Sequence, residues 1–181
     1  MIACGPYTFK NSLQYQGLLD FLALARKEQP QAIIMMGPFV DMNNTEIISG
    51  DIFFQNPDQS RVYLTHEDLF KDLLSTIQKE LNGIKTKVIL VPSHRDIHHF
   101  EPIPQSPFYQ NLLPNSQFPQ FMSVPNPSMI QLNDIKLGII NVEIIKEMCT
   151  GMLPKNMDPP KIDLSLKSLL EQRIFYPLYP P

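Results

Sequence analysis

Only two cysteines occur in this chain of 181 residues, and no apolar run approaches the roughly 18 residues that a membrane-spanning helix needs. Cys4 and Cys149 stand far apart in sequence, so neither a disulfide framework nor a CxxC zinc motif can form, which suits a reducing compartment. The first residues, "MIACGPYT", carry neither the basic nor the apolar segment of a secretory signal. These absences predict a soluble protein.

Positive charge is also scarce, because 15 lysines and arginines are outnumbered by 18 aspartates and glutamates, which gives a net charge of −3 and a pI near 5.8. Nonspecific affinity for nucleic acid comes mainly from clustered Lys and Arg. A surface broadly devoted to phosphate backbones is therefore disfavoured, although local basic patches stay possible.

Glycine is scarce at seven residues, whereas proline is abundant at 18. Proline fixes φ and removes a hydrogen-bond donor, so many segments should be extended, and rigid loops should cover much of the surface. The length suits one domain spanning residues 1–181, since domains typically have on the order of 100–150 residues.

The first segments predict a βαβ unit. Residues 1–4 are typical of the end of a short strand, which a Gly-Pro pair breaks. A helix with apolar residues at three- and four-residue spacing starts at Asn11 or Ser12 and closes at Pro30. The apolar run Ala32–Met36 is then typical of a strand buried on both faces of a parallel sheet.

The next segments repeat this pattern. Residues 41–64 show no stable period and are predicted to be a loop or insertion with a short turn at most. Thr65 to Asp68 fit a capping box, which opens a helix that ends near Asn82 and Gly83. The run "KVILVP" again indicates a buried strand.

Proline dominates the stretch from Pro102 to Pro127. Its seven prolines are too many for a helix or a central strand, so we expect a long surface loop, ordered or partly disordered. A fourth strand is predicted in "IKLGIINV", followed by a short helix over Glu143–Met148. A last helix over 163–173 precedes an extended "FYPLYPP", and its inward residues are predicted to be Leu166, Leu169 and Leu170.

This alternation predicts an α/β domain with helices packed on a largely parallel or mixed sheet. In such sheets the loops after the carboxyl ends of the strands gather at one edge, where ligands usually bind. Three of these loops carry residues that could form a functional site, namely "CGPYT", "GPFVD" and "PSHRDIHH". We expect the three loops to meet in space.

The order of the three loops resembles that of the calcineurin-like metallophosphoesterases. Those layered α/β enzymes hold two cations through Asp-x-His, Gly-Asp-x-x-Asp and Gly-Asn-His-Asp or Glu motifs at their strand ends. In this chain Cys4 and Pro6 occupy the two ligand positions of the first motif, and Pro38 stands where the bridging aspartate would be. The ligands have therefore been replaced while the framework has been kept.

The third motif is altered as well, because His94 occupies the asparagine position and Arg95 that of the catalytic histidine. An arginine cannot act as a general acid near neutral pH, and its fixed charge opposes cation binding. Asp41, His94 and Asp96 survive, and they could hold one ion weakly but not a bridged pair. We expect no catalytic residue and no metal cofactor at these vestigial positions.

The blocks "ACGPYT", "GPFVD", "VPSHRDIHH" and "RIFYPLYPP", taken together, resemble the phosphoesterase-like domain of the B subunit, the second-largest subunit, of eukaryotic DNA polymerase alpha–primase. The resemblance covers the chain from Ala3 to Pro181. It implies an inactivated calcineurin-like domain over 1–181 that is not an enzyme. It also implies a fragment or short form, because the family's OB-fold domain and the strands that normally follow "YPLYPP" have no place in this sequence.

The resemblance further implies a scaffold role. In that family the second-largest subunit grips the C-terminal, cysteine-rich zinc domain of the catalytic polymerase subunit and helps to join it to primase for primer synthesis. A nuclear location, a role in replication and telomere C-strand fill-in, no cofactor, no membrane contact and at most indirect contact with nucleic acid follow as expectations. Two alternatives stay open, namely a residual metal-dependent phosphodiesterase or nuclease, and a module that binds single-stranded nucleic acid directly.

Several single residues have ordinary structural interpretations. Of His98 and His99, one is expected to be buried with a hydrogen bond and the other to face solvent, while His66 is expected to be a solvated helix-start residue. Cys4 is expected to be a buried structural cysteine, and Arg95 is hypothesised to pair with Asp96. Aromatic residues near prolines indicate either an interface or core packing, and they are Tyr7, Phe39, Phe100, Phe108, Tyr109, Phe175, Tyr176 and Tyr179.

Overall fold

The computed structural model describes residues 1–50, 52–55, 61–153 and 160–178. In chain order its elements are β1 (Ile2–Cys4), α1 (Gln16–Glu28), β2 (Ala32–Met36), α2 (Thr45–Ser49), β3 (Phe53–Gln55), β4 (Arg61–Tyr63), α3 (His66–Glu80), β5 (Lys87–Val91), β6 (Gln120–Ser123), β7 (Ser128–Leu132), β8 (Ile135–Ile139), α4 (Ile144–Gly151) and α5 (Lys161–Gln172). Two single turns of 3-10 helix lie at Ile97–His99 and Gln110–Leu112. No described helix has the length and apolar character needed to cross a bilayer.

A four-stranded parallel sheet in the order β1-β2-β5-β6 forms the middle layer. The two central strands, β2 and β5, are the two continuous apolar runs of the sequence, which confirms the prediction of a parallel sheet with buried strands. Since all four strands run in the same direction, their carboxyl ends lie at one edge.

Helices α1 and α3 cover one face of the sheet. Alternate residues of a strand point to opposite faces of the sheet. The residues of β2 and β5 that point towards the helices, such as Met35 and Leu90, pack against the apolar faces of α1 and α3 in the larger core. Helix α3 begins at the predicted capping box, in which the Thr65 hydroxyl accepts from the Asp68 N–H at 3.1 Å and the Asp68 carboxylate accepts from the Thr65 N–H at 3.2 Å. The first βαβ unit and the capping box are thus confirmed.

The β7–β8 hairpin covers the other face. Ile34 and Ile89 of the sheet pack with Ile139 of β8 in a second, smaller core. The strand predicted in "IKLGIINV" is confirmed as β8, but it pairs antiparallel with β7 in a separate hairpin and does not join the parallel sheet.

The fourth strand of the sheet is β6, from the proline-rich stretch for which a loop was predicted. Only four residues pair, between Pro119 and Pro125, and the strand lies at the edge of the sheet. Edge strands tolerate neighbouring prolines because one side of the strand needs no ladder hydrogen bonds. The stretch therefore contains regular structure after all.

Other boundaries also differ from the sequence prediction. Residues 41–64 contain α2, capped by Asn44, and the β3–β4 hairpin, while residues 51 and 56–60 of this stretch lie outside the described part. Helix α1 starts only at Gln16, because the Ser12 hydroxyl accepts from the Gln14 N–H in a turn before it. Helix α4 confirms the short helix predicted after β8.

The last helix, α5, is present, but its orientation differs from the prediction. Leu166 and Leu170 are 46% and 78% exposed, so they do not point inward, whereas Leu169 is half-buried. The fully buried residue of this helix is Ser165, whose hydroxyl lies 3.4 Å from the Cys149 sulfur on α4. Residues 174–178 form neither helix nor strand, and residues 179–181 lie outside the described part.

Candidate functional site

The three strand-end loops meet, as the sequence predicted. They line one cavity of about 230 Å³ together with the segment after β8, and the lining residues are Cys4, Gly5, Gly37, Pro38, Ser93, His94, Arg95, Asn141, Val142 and Glu143. The loops pack so closely that a Cβ on Gly5 would clash with the Pro38 carbonyl, and one on Gly37 would clash with the Asp96 carboxylate. Both positions therefore require glycine, because the neighbouring loop atoms leave no room for a Cβ.

Asp96 joins two of these loops and is completely buried. Its Oδ1 accepts from the backbone N–H groups of Phe39 and Val40, and its Oδ2 accepts from that of Ser93 at 2.9 Å. Burial raises the pKa of this carboxyl to about 7, and the three backbone donors oppose that rise. The carboxylate therefore faces backbone amides rather than the cavity.

Arg95 forms an ion pair with Asp41, not with Asp96 as hypothesised. Its Nε donates to Asp41 Oδ1 at 3.2 Å and its terminal nitrogen donates to Oδ2 at 2.5 Å, a bidentate arrangement that favours both charges. A second carboxylate, that of Glu143, lies 3.9 Å from the guanidinium. The hypothesis was wrong because the short loop turns Asp96 back onto its own backbone, at the Ser93 N–H.

Three amide side chains extend this network, and sequence reasoning missed all of them. Asn141 Nδ2 donates to the Gly37 carbonyl at 3.1 Å and to the Pro92 carbonyl at 3.0 Å, so it ties the second loop to the third. Asn126 Oδ1 accepts from the Asn141 N–H, and the buried Gln105 amide donates to the carbonyls of Ser93 and His99. The available signal was the position of Asn141, a polar residue just after a strand.

The first loop supplies only weak candidates. Cys4 is an exposed free thiol, so the expectation of a buried structural cysteine is wrong; its pKa is raised because nearby protein atoms desolvate part of it. Pro6 follows Gly5 in a cis peptide and offers no side-chain ligand atom. His94 lines the cavity, but its Nδ1 is buried and has no hydrogen-bond partner among the described residues.

Of the prediction that one of His98 and His99 is buried and the other faces solvent, only the first half is confirmed. His99 is buried, and its Nε2 lies 2.9 Å from the Ser106 carbonyl oxygen. His98 does not face solvent, because its ring stacks on Phe70 at 4.2 Å and on Phe108 at 5.4 Å. Neither ring nitrogen of His98 has a partner in the described part of the chain, and burial lowers its pKa to about 3. The expected alternation failed because the two residues lie in a 3-10 turn rather than in an extended segment.

The aromatic residues divide between core and surface. Phe39 and Phe108 are buried with Phe70, and Tyr7 stacks on Phe39 at 5.4 Å. Phe100 and Tyr109 are exposed, Phe175 and Tyr176 are half-buried, and Tyr179 lies outside the described residues.

The three surviving candidate ligands are not brought together as a site. Asp41 is hydrogen-bonded to Arg95, and Asp96 is hydrogen-bonded to backbone amides. His94 forms no hydrogen bond with either carboxylate among the described residues. Within the described ranges, no three His, Cys, Asp or Glu side chains are placed to hold a metal ion together.

A parallel sheet covered by helices on one face and by a hairpin on the other, with its loops gathered at the carboxyl edge, is the layered α/β architecture of the calcineurin-like proteins. The family model that describes the B subunits of DNA polymerases alpha and epsilon matches residues 1–181. The chain therefore belongs to the family of DNA polymerase alpha/epsilon B subunits.

Individual relatives agree with this assignment. The B subunit of DNA polymerase alpha from Mus musculus is 29% identical over 182 residues, which cover 100% of this chain and 29% of that protein. The corresponding protein of Saccharomyces cerevisiae is 30% identical over 189 residues, covering 99% of this chain and 26% of that protein. The chain thus spans less than a third of the length of these curated relatives.

Proposed function

We propose that this chain is the inactivated phosphoesterase-like domain, residues 1–181, of a non-catalytic accessory subunit of the DNA polymerase alpha complex. Its family and the names of its relatives support this assignment. The observation that carries the proposal is the Arg95 guanidinium, which is held by Asp41 among the strand-end loops where a hydrolase would need metal ligands.

The residues present do not fit a two-metal centre. A bridged pair needs a carboxylate between the cations, and Pro38 stands at that position with no side-chain oxygen. The fixed charge of Arg95 repels cations, and its ion pair with Asp41 engages a carboxylate that could otherwise bind one. We infer that Cys4, Pro6, Pro38, Asp41, His94, Arg95 and Asp96 are vestiges of such a centre and have no catalytic role.

The same contacts support a scaffold role. Protein groups join the strand-end loops to one another, through the Arg95–Asp41 pair, the Asp96 carboxylate and the Asn141 amide. A surface that is rigid before binding loses less conformational freedom on association, which favours affinity. The fold is thus well suited to recognition.

The partners that we propose are the C-terminal zinc domain of the polymerase alpha catalytic subunit and, through the complex, primase. The complex would act in the nucleus, in primer synthesis for replication and in telomere C-strand fill-in. Direct binding of single strands is less well supported, because the net charge is −3 and Phe39 and Phe108 are buried, which leaves Phe100 and Tyr109 as the exposed ones among the described aromatic candidates.

The experiment is a binding titration of the chain with the purified zinc domain of the alpha catalytic subunit. The corresponding domain of polymerase epsilon serves as a matched control, because the family covers the accessory subunits of both polymerases. We expect saturable one-to-one binding of the alpha domain and much weaker binding of the epsilon domain. Absence of binding to the alpha domain, both by this chain and by the chain supplemented with the OB-fold domain, would contradict the proposal.

A further inference from the structure

A second cavity lies beside the strand-end cavity and shares His94 and Val142 with it. Its volume is about 310 Å³, at the lower end of the range for binding pockets. The loop after the 3-10 turn supplies Phe100, Pro102 and Ile103 as apolar walls, while α4 and the segment after α5 supply Glu147 and Tyr176. Neither Phe100 nor Glu147 takes part in the contacts that join the strand-end loops.

The polar groups around this cavity are mainly hydrogen-bond acceptors. The Glu147 carboxylate accepts one hydrogen bond, from the Tyr176 hydroxyl at 2.9 Å, and no described lysine or arginine forms an ion pair with it. The Glu101 carboxylate accepts from the Ser106 hydroxyl and N–H and carries a lowered pKa through those bonds. His94 Nδ1 is buried without a partner among the described residues. A ligand for this cavity should therefore donate hydrogen bonds and be positively charged.

The apolar walls decide which cation fits. Phe100 lines the cavity and is 68% exposed overall, and an exposed aromatic face attracts a planar guanidinium more readily than it attracts a strongly hydrated ammonium. A guanidinium also carries five N–H donors in a planar fork, which suits the Glu147 carboxylate because that group accepts only the Tyr176 hydrogen bond from the described residues. An anionic ligand such as a nucleic-acid phosphate would be repelled by the same carboxylates.

We propose that this cavity binds an arginine side chain of a polypeptide partner, with the guanidinium stacked on Phe100 and hydrogen-bonded to Glu147. The choice of a polypeptide rests on the proposed function, whereas the preference for arginine rests on the cavity alone. The cavity adjoins the strand-end loops, so an arginine bound there would lie next to the rigid edge of the sheet.

The test follows the Ile103 methyl group by NMR in the full chain, because Ile103 lines the cavity. The probe is a blocked Gly-Arg-Gly tripeptide, and its matched control has citrulline, which keeps the shape and loses the charge, in place of arginine. We expect a saturable shift with the arginine peptide and binding about tenfold weaker with citrulline, because citrulline lacks the charge that strengthens the hydrogen bond to Glu147.

Two variants locate the effect. Glu147→Gln keeps an acceptor for Tyr176 but removes the charge, and it should weaken the arginine peptide about tenfold. Glu67→Gln, on the exposed side of α3, should leave the affinity unchanged. Equal binding of both peptides, no Ile103 shift up to concentrations on the order of 10 mM, or a shift with oligothymidylate instead of the arginine peptide would overturn the proposal.

The same measurements separate this proposal from the proposed function. If the polymerase zinc domain binds while the arginine peptide does not, the cavity proposal fails and the scaffold proposal stands. If the arginine peptide binds and the zinc domain does not, the scaffold proposal fails and the cavity still recognises arginine.

Discussion

Replacing Asp96 by alanine removes the acceptor that joins two strand-end loops. The carboxylate accepts three backbone N–H groups, from Phe39, Val40 and Ser93, and it is completely buried. In Asp96→Ala those donors lose their partner in a site that water does not reach. Each unsatisfied buried donor costs about 1–3 kcal/mol, and release of a buried carboxyl returns part of that cost. We expect a net loss of about 3–4 kcal/mol in the free energy of unfolding.

The assay is equilibrium urea denaturation of the chain at neutral pH, with the slope m checked against the unchanged protein. Asp96→Asn should fall in between, because its oxygen can still accept from Phe39 and Val40 while its NH2 group faces the Ser93 N–H. Asp41→Asn is the matched control, since Asp41 is also buried but its amide oxygen can still accept from the Arg95 guanidinium, so that the loss should be only about 1 kcal/mol. A loss below about 1 kcal/mol in the unfolding free energy of Asp96→Ala would refute this reasoning. A loss for Asp41→Asn that exceeds the loss for Asp96→Ala would also refute it.

Three further outcomes follow from the site. The folded-state pKa of His98, about 3, lies below the unfolded value of 6.5, so its contribution to stability is complete above pH 6.5 and is lost as the pH falls toward 3. Asp96 contributes to the pH dependence of stability with the opposite sign, so we compare the unfolding free energy of the unchanged protein with that of His98→Phe, in which the Asp96 contribution is the same. This difference in unfolding free energy, measured by urea titration, should fall by about 1 kcal/mol between neutral pH and pH 5.5. A difference that does not change with pH would contradict the prediction. Asn141→Ala should cost about 1–2 kcal/mol by the same assay because two loop carbonyls lose a donor, and Asn141→Asp should cost more because a carboxylate would face those carbonyls; the reverse order would be contrary evidence. Gly37→Ala should lower stability by about 1–3 kcal/mol through the clash with the Asp96 carboxylate, whereas Gly17→Ala, where the new methyl meets nothing within 4 Å, should be neutral or slightly stabilising in thermal melts; similar losses for both would exclude crowding as the cause.

The central strands and the meeting of the loops could be predicted from sequence, because both depend on local patterns. Continuous apolar runs mark β2 and β5, and parallel strands with helical connections place the following loops at one edge. The capping box of α3 is also local, since all its hydrogen bonds join Thr65 and Asp68.

The remaining features depend on tertiary contacts that no local pattern carries. Four-residue β6 is a strand only because the edge of β5 is available to pair with it. The partners of Asp96 are mostly backbone amides of residues 39 and 40, more than fifty positions away in sequence, and backbone amides look alike in every sequence. His98 was misjudged for a similar reason, because Phe70 and Phe108 come from distant segments to enclose its ring.

The departures from the hydrolase pattern form one consistent set. A guanidinium, a buried carboxylate and an amide each join loops at the edge of the sheet, and each contact uses protein atoms alone. Because the loops are held in this way, the framework keeps its shape without needing ions to assemble it. Under the proposed function, these contacts would let the domain retain the loop arrangement of a hydrolase with few of its ligands.

The metal content of the purified chain tests this account most directly. Elemental analysis after incubation with manganese, iron and zinc, followed by desalting, should find well below one equivalent of each metal, and the preparation should not hydrolyse a bis-aryl phosphate. The melting temperature should likewise be the same with and without a chelator, because Arg95, Asp96 and Asn141 already join the loops. Retention of one or more equivalents of metal, together with hydrolysis that the chelator abolishes, would contradict the account.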